Sequence, residues 1–96
     1  MHNDKQSSRY VGPCIQQGEI GDAVLEAIRD DNPDRDIKVE EHASYLRIKV
    51  QGGCVIVFKT VGDMLGRAIT RADIEANMPA FEGFIRVDSE SIRFLP

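Results

Sequence analysis

Residues 45–58, YLRIKVQGGCVIVF, carry the pattern that decides the fold. Residues 45–51 alternate, with leucine, isoleucine and valine on one face of a strand and arginine and lysine on the other. Gly52 and Gly53 follow, and a two-residue connection that tolerates positive φ favours a tight hairpin. Residues 54–58 are apolar on both faces, which is typical of a strand that is covered on both sides or paired centrally. The stretch therefore predicts two strands linked as a hairpin.

Two further strands are predicted upstream. Residues 37–41 (IKVEE) alternate in the same way, and residues 42–44 (HAS) turn the chain into the strand that follows. Residues 10–15 (YVGPCI) are extended and apolar, but Gly12 and Pro13 interrupt them. Because proline cannot donate a hydrogen bond to a neighbouring strand, this segment is predicted to be an edge strand or an irregular one.

One long helix is predicted from helical spacing and from its ends. Between residues 19 and 31, apolar residues recur three and four positions apart. The residues on this stripe are Ile20, Val24, Ala27 and Ile28. Acidic side chains in the first turn favour the positive end of the helix dipole. Asn32 and Pro33 end the helix, since a proline disfavours the helical conformation in the residue before it.

Two short helices are predicted in the second half of the chain. Thr60 is the predicted N-cap of a helix over residues 61–65, with Asp63 placed to complete an approximate capping box, and Gly66 ends this helix. Thr70 is the predicted N-cap of the next helix, with Asp73 three residues on. This second helix runs towards the sequence NMP, where the proline halts it.

The chain closes with two more predicted strands, residues 83–87 and 91–94, joined by a turn at 88–90. The predicted order is β-α-β-β-β-α-α-β-β. Mixed strands and helices with hairpin-linked strands predict an α+β fold: a compact single domain of mostly antiparallel sheet with helices packed on it. Residues 1–9 are polar and read as a flexible N-terminal tail, so the predicted domain spans residues 10–96.

Composition limits the classes of function. The 96 residues carry a net charge of −4 and are 42% hydrophobic, as in an ordinary globular domain. An acidic balance argues against nucleic acid as a partner, because phosphate binding rests on lysine and arginine. The sequence offers neither a signal peptide nor an apolar run long enough to span a membrane. Cys14 and Cys54 are predicted to be reduced thiols packed as small hydrophobic residues, which indicates a cytoplasmic protein.

No catalytic or metal-binding constellation is recognisable in the sequence. Residues 62–67 (GDMLGR) lack the ending of a phosphate-binding loop. Ser44 and His42 are better explained as polar residues of a turn than as a nucleophile and its base. The acidic clusters lack the spacing of a calcium loop and indicate a solvated face. We therefore expect a protein that is not an enzyme, that binds no cofactor or metal, and that works by contact.

Residues 77–81 (NMPAF) are the best candidate for a contact surface. They follow a helix and contain a proline break. Methionine packs adaptably and phenylalanine is a good interface anchor. The alternative is that Met78 and Phe81 simply close the core under the last hairpin, and the residues alone leave both possibilities open.

Several motifs, in order, resemble a known family. The long helix ends in DNP (31–33), and residues 59–67 read KTVGDMLGR. Between them lies an alternating hairpin, residues 37–51, with Arg47 in its second strand. After them come a short helix with Asn77, then Gly83, and a closing strand that ends in IRF. In this arrangement residues 10–95 resemble the small effector (regulatory, or coupling) proteins of soluble bacterial di-iron multicomponent monooxygenases. The opening VGP particularly resembles the branch that serves toluene and alkene monooxygenases.

The resemblance implies a regulatory role. Members of this family carry no metal, flavin or iron–sulfur cluster. They bind the di-iron hydroxylase of the same monooxygenase near its di-iron site and alter the conformation of its active-site helices. Substrate access, oxygen activation and the coupling of NADH-derived electrons to hydroxylation or epoxidation change as a result. The resemblance also implies a reductase in the same system, with or without a Rieske-type ferredoxin.

The resemblance also implies where the hydroxylase is contacted. In the better-known relatives, the segment after the last helix lies in the interface, close to the substrate entry route. The corresponding residues here are Asn77, Met78, Pro79, Ala80 and Phe81. The last three stand where the methane enzyme's effector has small hydroxyl residues, so hydroxyl-specific contacts do not carry over. Arg67 and Thr70 are further candidates, although a solvated charge and a helix cap explain them adequately.

Two other functions are compatible with a small α+β domain. One is a stand-alone ferredoxin-like regulatory domain that binds a small molecule, for which a ligand-sized pocket is expected. The other is an acylphosphatase-like hydrolase, but the phosphate-cradling loop with its arginine is missing from the sequence.

Overall fold

A computed structural model describes residues 8–96, so most of the predicted tail, residues 1–7, lies outside the described residues. The predicted α+β class is confirmed, and the predicted order of elements is found with one short strand, β5, in addition. The elements are β1 Tyr10–Gln16, α1 Glu19–Asp31, β2 Ile37–Glu41, β3 Tyr45–Gln51, β4 Cys54–Val57, α2 Phe58–Leu65, α3 Arg71–Ala76, β5 Ala80–Glu82, β6 Phe84–Val87 and β7 Ser91–Leu95.

The first sheet has the strand order β2-β3-β1-β5, and all its neighbours are antiparallel. The predicted pairing of β2 with β3 is confirmed, and the turn closes where the His42 amide donates to the Tyr45 carbonyl at 2.9 Å. β1 lies between β3 and β5, so the prediction of an edge strand is wrong. The strand is irregular, however, because its ladder to β3 omits Gly12 and Pro13. Since Pro13 has no N–H to donate, a break in the ladder at this residue loses few hydrogen bonds.

The second sheet has the order β4-β7-β6, and here the predicted hairpin between β3 and β4 is wrong. β2 and β1 already occupy both edges of β3, so that strand has no edge left for β4. Gly52 and Gly53, with φ of 80° and 136°, let the chain leave the first sheet instead. β4 then pairs with β7, placing Ile56 opposite Ile92.

The chain crosses between the sheets a second time at Gly83, which has φ of +104°. A Cβ at this position would lie 2.7 Å from the Leu95 carbonyl oxygen and 2.8 Å from Cγ1 of Val11. The predicted strand over residues 83–87 therefore begins one residue later, at Phe84. Gly83 is the joint between β5 and β6, and only glycine has room for it.

The helices agree with the prediction except at one end. α1 has the predicted bounds, and Gly66 ends α2 in a left-handed conformation. α2 begins at Phe58, directly after β4, so Thr60 lies inside the helix and the prediction that it is the N-cap is wrong. The first turn of α2 has no side-chain cap, and Lys59 instead forms an ion pair with Asp63 at 3.1 Å.

One cluster of buried side chains joins both sheets to the helices. Each fully buried aliphatic side chain contributes about 1.5–3 kcal/mol. The fully buried members that α1 and the first sheet supply include Val24, Ala27, Ile28, Ile15, Ile48 and Val50. Those of the second sheet and the short helices are Ile56, Ile92, Phe94, Val61 and Ile74. None of the described helices is long and apolar enough to cross a membrane.

Asn32 ties α1 to the free edge of the second sheet. Its side-chain amide donates to the Val55 carbonyl at 3.0 Å and accepts from the Val55 amide at 3.0 Å. The same amide group donates to the Ile28 carbonyl at 2.8 Å. Asn32 is only 5% exposed, so these bonds are shielded from water. The asparagine thus pairs with β4 as a neighbouring strand would, in addition to ending the helix.

We expect Asn32→Asp to lower the free energy of unfolding by about 3 kcal/mol, measured by urea denaturation. The change keeps the shape but replaces a donor with a carboxylate facing two carbonyls, which leaves buried polar groups unsatisfied. Asn77→Asp is the matched control, because it removes only the hydrogen bond from the Asn77 side chain to the Asp73 carbonyl, at an exposed helix end. We expect it to cost about 1 kcal/mol. Equal losses in the two variants would contradict the assigned role of Asn32.

Candidate functional site

The candidate 77–81 segment joins α3 to β5, and Asn77 fixes its start. The Asn77 side chain donates to the Asp73 carbonyl at 2.9 Å, so it caps the end of α3. Its own carbonyl accepts the Gln16 amide at 2.8 Å, which ties the segment to the end of β1. These bonds occupy the amide nitrogen of the Asn77 side chain and its backbone carbonyl within the fold.

The remaining residues of the segment divide between core and surface. Met78 is half-buried and packs against the core, whereas Pro79 and Ala80 are exposed. Phe81 is 40% exposed, and its ring lies 5.5 Å from the buried ring of Phe94, at an interplanar angle of 47°. Ala80 and Phe81 belong to β5, so the segment is not wholly a loop. Met78 and part of the Phe81 ring therefore pack against the core, and the role of the exposed remainder as a contact surface stays a prediction.

The short strand β5 was not predicted, because three residues directly after a proline show no alternation. It pairs with β1, with Ala80 opposite Cys14. Glu82 at the end of β5 reaches over β1, the strand between β5 and β3, and forms an ion pair with Arg47 of β3 at 3.2 Å. Both side chains are partly exposed, so water screens the pair and it contributes little to stability. Arg47 thus helps to hold the candidate segment against the first sheet.

Thr70 caps α3 as predicted. Its hydroxyl accepts from the Asp73 amide at 3.2 Å, and its backbone amide donates to the Asp73 carboxylate at 2.9 Å. The Thr70 hydroxyl also donates to this carboxylate at 2.9 Å. Hydrogen bonds from the Thr70 backbone and side chain hold the pKa of Asp73 below its usual value. The hydroxyl therefore already has two partners inside the fold.

Arg67 also has a partner inside the fold. Its guanidinium lies 3.2 Å from the Glu19 carboxylate at the start of α1, and both side chains are about half exposed or more. Such a pair contributes between zero and about 1 kcal/mol. Arg67 also borders an open cleft of about 470 Å³ beside α2, with Phe58, Gly62 and Ile69 among its lining residues.

The two cysteines and the turn residues His42 and Ser44 make packing contacts and hydrogen bonds within the fold. Cys14 and Cys54 are free and buried, and burial raises the pKa of Cys54 to about 12. The His42 ring stacks on Tyr45 with centroids 4.5 Å apart, and the Ser44 carbonyl accepts the Gln17 amide. Within residues 8–96, no three histidine, cysteine or acidic side chains lie close enough to share a metal ion.

Comparison with known proteins identifies the family. The family model described as the MmoB/DmpM family matches residues 9–95. The chain belongs to the MmoB/DmpM family. The effector subunit of the alkene monooxygenase system of Xanthobacter autotrophicus strain Py2 is 33% identical over 91 residues, covering 95% of this chain and 90% of that protein. The family predicted by resemblance is thereby confirmed.

Solved structures share the fold of this MmoB/DmpM family member. Two chains from structures of a phenol hydroxylase–regulatory protein complex match with TM-scores of 0.74 and 0.75. Their sequence identities are 21% and 22%, and the matches cover 90% and 91% of this chain and 95% and 99% of theirs. The name of the alkene monooxygenase relative, an effector subunit, agrees with the prediction of a regulatory component that is not itself the enzyme.

We expect Thr70→Ala to lower the free energy of unfolding by about 1 kcal/mol at neutral pH, whereas Thr70→Ser retains most of it. Because the folded-state pKa of Asp73 is lowered, its carboxylate stabilises the fold above the unfolded-state pKa. That contribution is lost as the pH falls through the folded-state pKa. The difference in free energy of unfolding between wild type and Thr70→Ala should therefore shrink in acid. Urea denaturation at several pH values measures it. A serine variant as unstable as the alanine variant would contradict the cap.

Proposed function

We propose that this protein is the effector subunit of a bacterial multicomponent hydrocarbon monooxygenase and acts by binding its di-iron hydroxylase. The observation that carries the proposal is the similarity to the alkene monooxygenase effector subunit, which extends over 95% of this chain and 90% of the relative. A match of that extent leaves little of either chain for a different role. The shared fold with chains of a phenol hydroxylase–regulatory protein complex supports the same proposal.

In physical terms, the effector acts by differential binding. A protein can shift its partner between two conformations only as far as it binds one of them more tightly. We propose that this chain prefers a hydroxylase state in which the active-site helices admit substrate and activate oxygen. A preference of about 1–3 kcal/mol changes the balance of the two states by about 5- to 150-fold. Fewer electrons from NADH are then lost to oxygen without forming product.

The proposal also defines the surroundings of the protein. Electrons reach the hydroxylase through a reductase, with or without a Rieske-type ferredoxin, and the system works in the cytoplasm. The substrate class is a hydrocarbon of the kind that toluene and alkene monooxygenases accept, either aromatic or olefinic. The effector itself needs neither metal nor cofactor for this role.

We propose that the 77–81 segment is part of the docking surface. Pro79 and Ala80 are exposed, and Phe81 presents part of its ring to solvent while the rest packs on the core. A partly exposed aromatic side chain with a rigid base is a good interface anchor, because little conformational freedom is lost on binding. Arg67 and Thr70 are the remaining candidates, but each already has an intramolecular partner.

The direct test is the yield of product per NADH. The hydroxylase, reductase and any ferredoxin of the same operon are assayed with increasing amounts of this protein, and both product and NADH are measured. We expect a saturable rise in product per NADH, because the effector favours the productive state of the hydroxylase. With folded protein and a competent hydroxylase, an unchanged ratio at every concentration would exclude the effector function and favour a ligand-binding domain.

The docking segment is tested with Phe81→Ala and Met78→Ala. We expect Phe81→Ala to raise the effector concentration needed for half-maximal activation about tenfold, as the loss of an interface anchor does. Met64→Ala is the matched control, because Met64 is 43% exposed on α2, outside the segment. It should change activation less than about twofold.

Thermal unfolding of each variant separates docking from folding. Met78 is half-buried, so its truncation costs about 1–2 kcal/mol, while the domain stays folded at the assay temperature. If either truncation unfolds the isolated domain, the residue belongs to the core and its assignment to the docking surface fails. The assignment also fails if folded Phe81→Ala activates like wild type.

A further inference from the structure

The outer face of the second sheet exposes a pair of large apolar side chains. Ile92 and Phe94 of β7 are fully buried, so the alternate residues Arg93 and Leu95 point away from the core. Phe84 of β6 lies opposite Leu95 in the strand register. Phe84 is 62% exposed and Leu95 is 40% exposed. Contiguous exposed apolar groups with a polar rim are typical of interaction surfaces, so the surroundings of this pair decide what it can bind.

Arginines rim this pair on the same face. Arg86 lies opposite Arg93, two residues along each strand from Phe84 and Leu95 and therefore on the same face. Like charges directly opposite one another destabilise a sheet. Among residues 8–96, neither guanidinium has a carboxylate within ion-pair distance, although Arg93 contributes to the lowered pKa of Asp88 at the β6–β7 turn. The Arg86 guanidinium donates to the Ile85 carbonyl at 3.0 Å. The free protein thus keeps two neighbouring positive charges of which only Arg93 is offset, in part, by Asp88, in a chain whose net charge is −4.

A third arginine borders the same face. A cleft of about 200 Å³ is lined by Arg35 and Arg93 together with Leu95. Arg35 is held by a hydrogen bond to the Gln51 carbonyl at 3.1 Å. Asp31 also lines this cleft, so its charge opposes part of the positive potential at that end. The arrangement is an apolar centre with a mainly cationic rim, as in protein interfaces that meet an acidic partner.

We propose that the outer face of β6 and β7 is a second docking surface, which binds an acidic patch on the hydroxylase. This β6–β7 face consists of Phe84, Arg86, Arg93 and Leu95. This inference rests on the proposed function, since it names the hydroxylase as the occupant. Phe84 and Leu95 enter the apolar centre of that patch, and the two arginines pair with carboxylates around it. The repulsion between Arg86 and Arg93 in the free protein is relieved when the carboxylates arrive.

A second copy of this chain fits the face poorly. In a symmetric dimer the same patch appears on both subunits, so the arginines of one copy would approach those of the other. A hydroxylase surface with carboxylates at this contact, which the proposal requires, would carry the opposite charge. Continuity along the chain supports the same occupant, because Phe81 and Phe84 are separated only by Glu82 and the Gly83 joint. The 77–81 segment and the β6–β7 face are therefore consecutive in sequence.

Hydroxyl-radical footprinting of the wild-type protein, free and saturated with the hydroxylase, tests the face without any substitution. We expect oxidation of Phe84 and Leu95 to fall about fivefold or more in the complex, since docked side chains are shielded from water. Met64 on α2 is the internal reference and should keep its rate. A complex that forms while Phe84 and Leu95 keep their free rates overturns the β6–β7 face and leaves the proposed function intact.

Titration calorimetry of variants with the hydroxylase provides the second measurement. We expect Phe84→Ala to raise Kd about tenfold. The double variant Arg86→Gln and Arg93→Gln should raise Kd about tenfold at low salt and less at high salt, because salt screens the lost attraction. Removing the like-charge pair should leave the free protein at least as stable. Arg29→Gln, at an exposed position in the last turn of α1, is the matched control and should stay within about twofold of wild type.

The outcomes separate this inference from the proposed function. If the wild type does not bind the hydroxylase at all, both fail. If it binds and the variants bind as tightly as wild type, only the β6–β7 face fails. Sedimentation of the free protein completes the test: a dimer that Phe84→Ala dissociates would assign the face to a second copy of the chain and overturn the hydroxylase as its occupant.

Discussion

The pairing of β3 along both of its edges is the constraint on which the rest of the structure depends. With β2 on one side and β1 on the other, β3 leaves β4 no partner in the first sheet, so the chain turns away at Gly52 and Gly53. β4 then pairs with β7 on one edge and with the side-chain amide of Asn32 on the other. A second sheet follows, with its inner face in the core and its outer face in water.

The same constraint determines which surfaces are available for a partner. Gly83 returns the chain from β5 in the first sheet to β6 in the second, where a Cβ would collide with the Leu95 carbonyl and Val11. Residues before this joint form the 77–81 segment, and residues after it begin the β6–β7 face. Phe81 and Phe84, one on each side, are among the most exposed large apolar side chains in the described chain. A protein that works by contact is expected to present such groups on rigid elements.

Local patterns predicted local structure well and long-range pairing poorly. The Thr70 cap and the bounds of α1 follow from nearby residues and are confirmed. Gly52 and Gly53 allow either a hairpin or an exit from the sheet, and the choice depends on which strands already occupy β3. Thr60 has the composition of a cap, but β4 runs directly into α2 and leaves it inside the helix. The sequence indicated where the candidate segment lies, but not that its last residues pair with β1.

The central claim is that this protein acts on the hydroxylase itself, by favouring one of its conformations. A single-turnover reaction tests it most directly: hydroxylase that has been reduced chemically, without reductase or NADH, is mixed with oxygen and substrate in the presence and absence of this protein. Because binding alone shifts the balance of states, product per di-iron site should rise and level off near one effector per hydroxylase active site. An unchanged single-turnover yield, with the complex demonstrably formed, would contradict the account.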